Sequence, residues 1–454
     1  MSEHAFQSSC SANFCEAKFM RPNYRMYRLV CFIFVALSLV IGMIATTFWG
    51  RYGNKLVDFD FRVYFFAAKT LKDVPNANIY VGAEDRNPQK VSAPATSPLA
   101  ISARKEGFAE IDQYVYPPVL ADLLRPMAFL SFRKAERLWR IINVFFLVVS
   151  LLALGKLASF RTFSREMAIL AVLGICFQPI HESLYLGQIE ILLLMLLTIG
   201  ITAYAKGMQA MAAGAFVLAA GIKVTPLMLF PLFVIWWERS ILAYYLLFSA
   251  GELFSLLLLN GRQMLVSSVH VLSMMGGGVY DATNKCLNSL VGWIYLGHLV
   301  GADYIIRNDS HFSATLPLLG KGVSAAFYVA CLVGIWRNRK NTKNADRILV
   351  LSVFLLVALN VSPVSWRHAY SIAFLSISYL WIRILRGFGN WLHTALLTVL
   401  SFSIGTIFVD YALSLTMPQA LKIALAGMVT ACSVSLSLLV SWHSPECSLD
   451  LTPD

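Results

Sequence analysis

Charge is what this sequence has least of. Only 14% of its 454 residues are Asp, Glu, Lys or Arg, while 58% are hydrophobic, against roughly a quarter charged in a soluble domain. Mean hydropathy is +0.65. A soluble globular chain is thereby excluded. Acids are the scarcer sign, 25 against 37 basic residues, for a formal net charge of +12. In a chain built of apolar runs, that excess belongs to positive-inside loops, and no nucleic-acid partner is expected. The eight cysteines make no framework, because Cys31, Cys176, Cys331 and Cys432 sit in apolar runs, Cys10, Cys15 and Cys447 in the tails, and only Cys286 in an outer loop, so no structural disulfide is expected. No His, Cys or Asp cluster has metal-ligand spacing, so no metal and no cofactor are expected. No internal repeat announces inverted halves. A cleavable signal peptide is also missing: the mostly polar residues 1–28 lead into a run too long for a signal h-region, which reads as an uncleaved anchor.

What is present are apolar runs of about 17 to 23 residues along nearly the whole length, enough to cross a hydrocarbon core. The chain reads as an all-α polytopic integral membrane protein, with about ten or more transmembrane helices plus short re-entrant and interfacial helices. Basic flanks set the parity. Residues 1–28 form a tail inside, 29–442 the membrane domain, and 443–454 a second inner tail. Leu29–Trp49 goes out to a large outer loop, 50–137. Leu138–Ala158 returns, Met167–His181 goes out, and Ile189–Tyr204 comes back. Ala210–Trp237, broken by Gly221, Lys223 and Pro226, reads as a hairpin of two short helices or a sharply kinked one with its apex outside. Ile241–Leu259 leads to a second outer loop, from Asn260 to near Leu290, and Val291–Val300 is short and reads as a partial or a re-entrant helix. Leu316–Trp336 enters the basic loop Arg337 to Lys343; Ile348–Val361, Ala369–Leu385, Trp391–Val409 and Leu421–Trp442 complete the crossings. Within the first outer loop, Phe61–Leu71 suits a helix lying on the interface, and a Pro/Ser/Ala-rich patch from Asn87 to Pro98 suits a mobile insert.

The residues able to do chemistry fall on the outer side. Asp58 and Asp60, with Tyr64, stand just beyond the first span, where acids at a membrane boundary are functional candidates. Tyr116-Pro117-Pro118 marks a rigid re-entry of the chain. Gly187-Gln188, near His181, Glu182 and Tyr185, reads equally as a tight turn or as a substrate-binding amide. Lys223 beside Pro226 reads as an anion site at a helix break, with snorkelling as the plainer alternative. In Ser362-Pro363-Val364-Ser365-Trp366-Arg367-His368, Arg and His side by side suit a phosphate; an interfacial Trp/Arg anchor is the plain reading. Acids at one point and cations at others suit group transfer from a lipid phosphate. The cations would hold the leaving phosphate, and a carboxylate would take the proton of an incoming hydroxyl. One base without a nucleophile implies inversion at an anomeric carbon.

In order, Asp60-Phe61-Arg62-Val63-Tyr64, Tyr116-Pro117-Pro118 with Pro126 and Trp139, Gly187-Gln188, Ala213-Gly214, Ile222-Lys223-Val224-Thr225-Pro226, Asn284 and Ser362 to His368 resemble glycosyltransferase family 87. Those enzymes have a GT-C fold and use polyprenyl-phosphate sugars; members include mycobacterial α-1,2-mannosyltransferases of phosphatidylinositol mannoside assembly and an arabinofuranosyltransferase. The resemblance implies that Asp60, four residues before the Tyr, is the catalytic base rather than Asp58. It also implies that Lys223 and His368 face the donor phosphate. Three departures stand out: Asn284-Lys285-Cys286-Leu287 replaces Asn-Gln-Ser-Leu, His368 is followed by Ala369 instead of a second His, and the insert near Asn87–Pro98 is large. These bear on acceptor and sugar more than on reaction type.

The expectation is therefore a glycosyltransferase moving a sugar, mannose first, from a polyprenyl monophosphate to an acceptor hydroxyl of a glycolipid or cell-envelope glycan. It would sit in the inner (plasma) membrane, N-terminus cytoplasmic, with its site on the periplasmic or extracellular side. Asp60 is the base; Lys223, Arg367 and His368 bind phosphate; Asp58, Tyr64, Gln188, Asn284 and Trp366 are further substrate-binding candidates. Its partners are the donor, a lipid or glycan acceptor and membrane lipids. A secondary transporter or flippase with an anion site at Lys223 is the rival, and a non-catalytic envelope scaffold the second rival.

Overall fold

The computed structural model describes residues 22–48, 59–82, 92–275, 284–297, 315–340 and 342–442. Helix is the only regular element among them, apart from two isolated antiparallel bridges, Ser92 to Asp112 and Asn284 to Trp366. A chain this apolar must satisfy its backbone hydrogen bonds within each segment, and helices do so. The order is α1 (Pro22–Phe48), α2 (Phe59–Asp73), α3 (Pro98–Lys105), α4 (Pro118–Leu124), a 3-10 turn (Arg125–Phe129), α5 (Phe132–Leu157), α6 (Arg165–Cys176), α7 (Gln178–Leu186), α8 (Glu190–Ala205) and α9 (Gln209–Ile222). There follow a 3-10 turn (Thr225–Leu229), α10 (Phe230–Ile235), α11 (Arg239–Met275), α12 (Leu287–Leu296), α13 (Thr315–Asn338) and α14 (Asn344–Val361). A 3-10 turn (Arg367–Ile372), α15 (Ala373–Leu385), α16 (Trp391–Gly405), α17 (Phe408–Ser414) and α18 (Gln419–Trp442) complete the chain.

Six of these helical stretches are long and apolar enough to cross a membrane, or eight if the bent pairs α6–α7 and α16–α17 each count as one span. Four shorter apolar helical segments add to them: α8, α9, the 3-10 turn with α10, and α12. The protein is an all-α polytopic membrane protein. Several expected straight spans are interrupted. The run read as Met167–His181 bends by 58° ahead of Pro179, and that read as Trp391–Val409 bends by 66° between α16 and α17. The span expected to stop at Leu259 continues as helix to Met275 through a kink at Gly261, whose φ of 73° a side chain would resist. The start of the expected second outer loop is therefore helical. Asn260, just before the kink, donates to Asp122 at 2.6 Å and accepts from Arg125 at 2.9 Å, which fastens α11 to α4.

The segment from 209 to 235 is a hairpin, as its breaks predict. α9 ends at Ile222, Lys223 is extended, and α10 runs back so that Phe233 meets Phe216 at 5.6 Å and Tyr204 at 5.8 Å. The apex lies beside Glu190, the first residue of α8. The opposite end of the bundle is tied by other charges. There Glu238 pairs with Arg347, Asp346 with Arg383 at 3.7 Å, and Arg28 donates to the Gly389 carbonyl at 2.8 Å. The loop that follows Arg337 lies at this remote end too, since Asn338 donates to the Ser441 carbonyl.

Two expectations for the first outer loop need correction. α2 is not an exposed helix laid on a surface. Phe61, Val63, Tyr64, Phe65, Phe66, Ala67, Ala68 and Leu71 are all buried, packed beneath α3, α4, α5 and α7. The apolar faces of α2 are covered from several sides by these elements, while its charged residues Arg62, Lys69, Lys72 and Asp73 keep the half-buried and exposed positions. Phe132 from α5 lies face to face with Phe66, and Trp139 stacks on Phe61 at 5.5 Å. The described part of the Pro/Ser/Ala patch, 92–98, is anchored, since Ala93 donates to the Ile111 carbonyl at 2.8 Å and Ser97 caps α3. Asp58 and residues 87–91 lie outside the described residues.

Candidate active site

The site is assembled around the start of α2. Asp60 stands in its first turn and Tyr64 one turn later, so both face the same side. Both meet Gln188. The Gln188 side-chain Nε2 donates to Asp60 Oδ2 at 2.6 Å, and its Oε1 accepts from the Tyr64 hydroxyl at 2.6 Å. Gln188 reaches this position because α7 ends on Gly187 in the left-handed region, φ 69°, and the chain turns there. Trp139 Nε1 donates to the Gly187 carbonyl at 2.8 Å and pins the turn. Behind them, the Tyr116 hydroxyl is 3.0 Å from that of Tyr64, and Tyr114 donates to the carbonyl of Pro117, the N-cap of α4.

Asp60 is an acid held out of its ordinary range. Burial removes its water, and the negative charges of Glu190, Asp112 and Glu182 add to the effect. The Gln188 hydrogen bond opposes them, and the net result is a pKa pushed up to about 7. Burial also raises the Tyr64 and Tyr116 hydroxyls well above 10, so both stay protonated. An acid that exchanges its proton near neutrality is suited to general-base work.

The expected cations lie on the same side, and each is already engaged. Lys223 Nζ, at the hairpin apex, donates to Glu190 Oε1 at 2.7 Å. Arg367 pairs with Asp410 of α17 and lies 3.6 Å from Glu182, and Asp410 is also 3.5 Å from Lys285. Arg367 Nη1 is buried with no hydrogen-bond partner among the described residues. His368 is buried within electrostatic reach of Glu190, Glu182, Lys223 and Arg367, and its carbonyl accepts from Ser183. A pocket of about 260 Å³ lies at Lys223, with Glu190, Thr225, Ser365 and Ala369 also on its walls.

Asn284 is held by the backbone of the Ser362–His368 strip. Its Oδ1 accepts from the Ser365 N–H at 2.6 Å, its Nδ2 donates to the Pro363 carbonyl at 3.2 Å, and Lys285 N–H donates to the Ser365 carbonyl at 3.0 Å. It brackets the strip that carries half-buried Trp366 and then Arg367. Sequence reasoning missed Glu190, Lys285 and Asp410. Glu190 carried a usable signal, an acid two residues after Gln188 at the head of an apolar run. Asp410 stood at the end of another such run.

With that geometry in place, the comparison with known families is decisive. The model of glycosyltransferase family 87 matches residues 114–363, more than half of the chain. The chain belongs to glycosyltransferase family 87. No curated protein sequence matches it. The family match takes in Tyr116-Pro117-Pro118, Gln188, Glu190, Lys223 and Asn284, while Asp60 precedes it and Arg367 and His368 follow it. The fold nonetheless brings those outlying residues to the matched core, through Gln188 for Asp60 and through Ser183 and Glu182 for the Arg367–His368 pair. As a family 87 member the protein is a membrane glycosyltransferase, and a transporter or a scaffold no longer competes as its first function.

Proposed function

We propose that the enzyme transfers a sugar, mannose first, from a polyprenyl monophosphate to a hydroxyl of a glycolipid or cell-envelope glycan. Asp60 accepts the acceptor's hydroxyl proton as its oxygen bonds to the anomeric carbon. The bond from that carbon to the phosphate oxygen breaks on the opposite face, so the configuration inverts, and polyprenyl phosphate leaves with one added negative charge. Lys223, Arg367 and His368 face that phosphate, where cations favour the charge as it develops. No cofactor or metal enters this scheme. The observation that carries the reading is Asp60, a carboxylate with a pKa near 7 held by Gln188, within electrostatic reach of the Glu190 that pairs with Lys223 on the wall of a pocket.

The resting ion pairs fit this role. Lys223 is kept in place by Glu190 until a phosphate joins it, and Arg367 has an Nη1 left over for a phosphate oxygen after pairing with Asp410. Arg337, Arg339, Lys340, Arg383 and Arg386 cluster at the end remote from Asp60. By the positive-inside rule that end is cytoplasmic, with the N-terminus, and the site opens to the periplasmic or extracellular face of the inner (plasma) membrane.

The test uses purified protein in lipid, radiolabelled polyprenyl-phosphate-mannose and a membrane-lipid extract, with wild type beside Asp60→Asn. Label passing to a new glycolipid with wild type alone is the expected result. Transfer from other polyprenyl-phosphate sugars only would change the sugar, and equal transfer by Asp60→Asn would remove Asp60 as base.

A further inference from the structure

A large groove lies away from Asp60. It measures about 740 Å³ between α1, α6 and α15, walled by Phe32, Leu39, Leu173, Phe374, Ile377 and Trp381 among others, and nearly all apolar. Along α6 it runs from Glu166 to Phe177, roughly 16 Å at the helical rise. That is about half of a hydrocarbon core near 30 Å thick. Its lining runs from Phe177 and Phe374, on the side of Ser183 and Ser371, to Phe160 and Leu385 at the remote end of the bundle.

That remote end is basic. Lys156, Arg161 and Arg165 are exposed around it, and Arg386 donates to the Ala158 carbonyl at 2.6 Å while lying over the Phe160 ring at 5.6 Å. The one carboxylate there, Glu166, is hydrogen-bonded to Ser164 and to its own backbone at the start of α6. An apolar slot one leaflet deep, crowned by cations at headgroup level, has the shape and charge of one kind of molecule.

We propose that this groove is a lipid site, holding an acyl chain of a glycerophospholipid from the leaflet remote from Asp60, with its phosphate against Arg161, Arg165 and Arg386. Within the groove the chain covers apolar surface of α1, α6 and α15 that no side chain fills, so the lipid fastens α1 to the bundle.

The experiment is native mass spectrometry of the full chain, delipidated in detergent and offered palmitoyl-oleoyl phosphatidylglycerol, inorganic phosphate or undecaprenyl phosphate. One phosphatidylglycerol retained per wild-type chain is expected, and no retention of inorganic phosphate. Leu173→Trp, which fills the slot, should lower retention about tenfold. Arg161→Ala with Arg165→Ala, both on the surface, should lower it about fivefold per cation removed. Should Leu173→Trp fail to fold, the arginine pair and the smaller Leu173→Phe carry the test. Equal retention by wild type and all the variants overturns the proposal, as does displacement of the phospholipid by undecaprenyl phosphate.

Discussion

The Gln188 amide donates to Asp60 Oδ2 at 2.6 Å while its carbonyl accepts from Tyr64, so one side chain sets both the orientation and part of the acidity of the carboxylate. An amide oriented at both ends cannot turn over without losing two hydrogen bonds, and Asp60 is thereby aimed and held.

Replacing Asp60 by Asn should reduce turnover by about a hundred- to ten-thousand-fold, the range for a positioned general base. Donor affinity should change little, because the base acts on the acceptor proton and not on the phosphate. Steady-state kinetics beside a donor-binding isotherm separates the two. A parallel loss of donor binding would move Asp60 from base to binding residue.

The rate should rise with pH to a plateau above about 7, as the Asp60 proton is lost. Glu190→Gln removes one of the charges that hold that proton, so the rising limb should move to lower pH. A pH–rate profile of the two proteins that superimposes would contradict the coupling.

Stability should carry the same signature with opposite sense. The Asp60 pKa is raised by folding, from 3.8 to about 7, so the folded protein holds a proton that the unfolded chain has released in between. That contribution is complete below the unfolded value and is lost as pH rises through about 7. Thermal melts should therefore show Asp60→Asn gaining on wild type between pH 5 and pH 8. A constant difference across that interval would count against it.

Lys223→Ala leaves the Glu190 carboxylate buried beside an empty place, and breaking a buried pair from one side costs about 3–5 kcal/mol. The double change Lys223→Ala with Glu190→Ala should recover much of that stability without restoring donor binding. Melting temperatures and a donor isotherm on both variants check it; donor binding restored in the double variant would take Lys223 out of the phosphate site.

Tyr64→Phe deletes the donor to Gln188 Oε1 and should cost about 1 kcal/mol of stability. Turnover should fall more than donor affinity does, because Gln188 becomes free to swing away from Asp60. Unchanged turnover would mean that Gln188 is held by the turn at Gly187 alone.

Much of this was readable before any fold. The shortage of charge and the length of the apolar runs were enough for the membrane class, since both report directly on solvent. Gly221, Lys223 and Pro226 located the hairpin, because backbone breaks are local events. The residues of the family motifs could be named in order. α2 shows where this kind of reading stops: Phe61 to Leu71 has the composition of an interfacial helix and of a buried one, and only the elements packed over it decide.

The sequence by itself determined which residue types were present and where the chain must turn. Tertiary structure alone decided their partners. Asp60 and Gln188 are 128 positions apart, Lys223 and Glu190 are 33 apart, and Arg367 meets Asp410 from another helix. A carboxylate's acidity and a cation's availability depend on charges and water within a few ångströms in space. Spacing along the chain carries no record of those neighbours, so an ordinary Asp, read one residue at a time, exchanges its proton near neutrality only when the bundle closes around it.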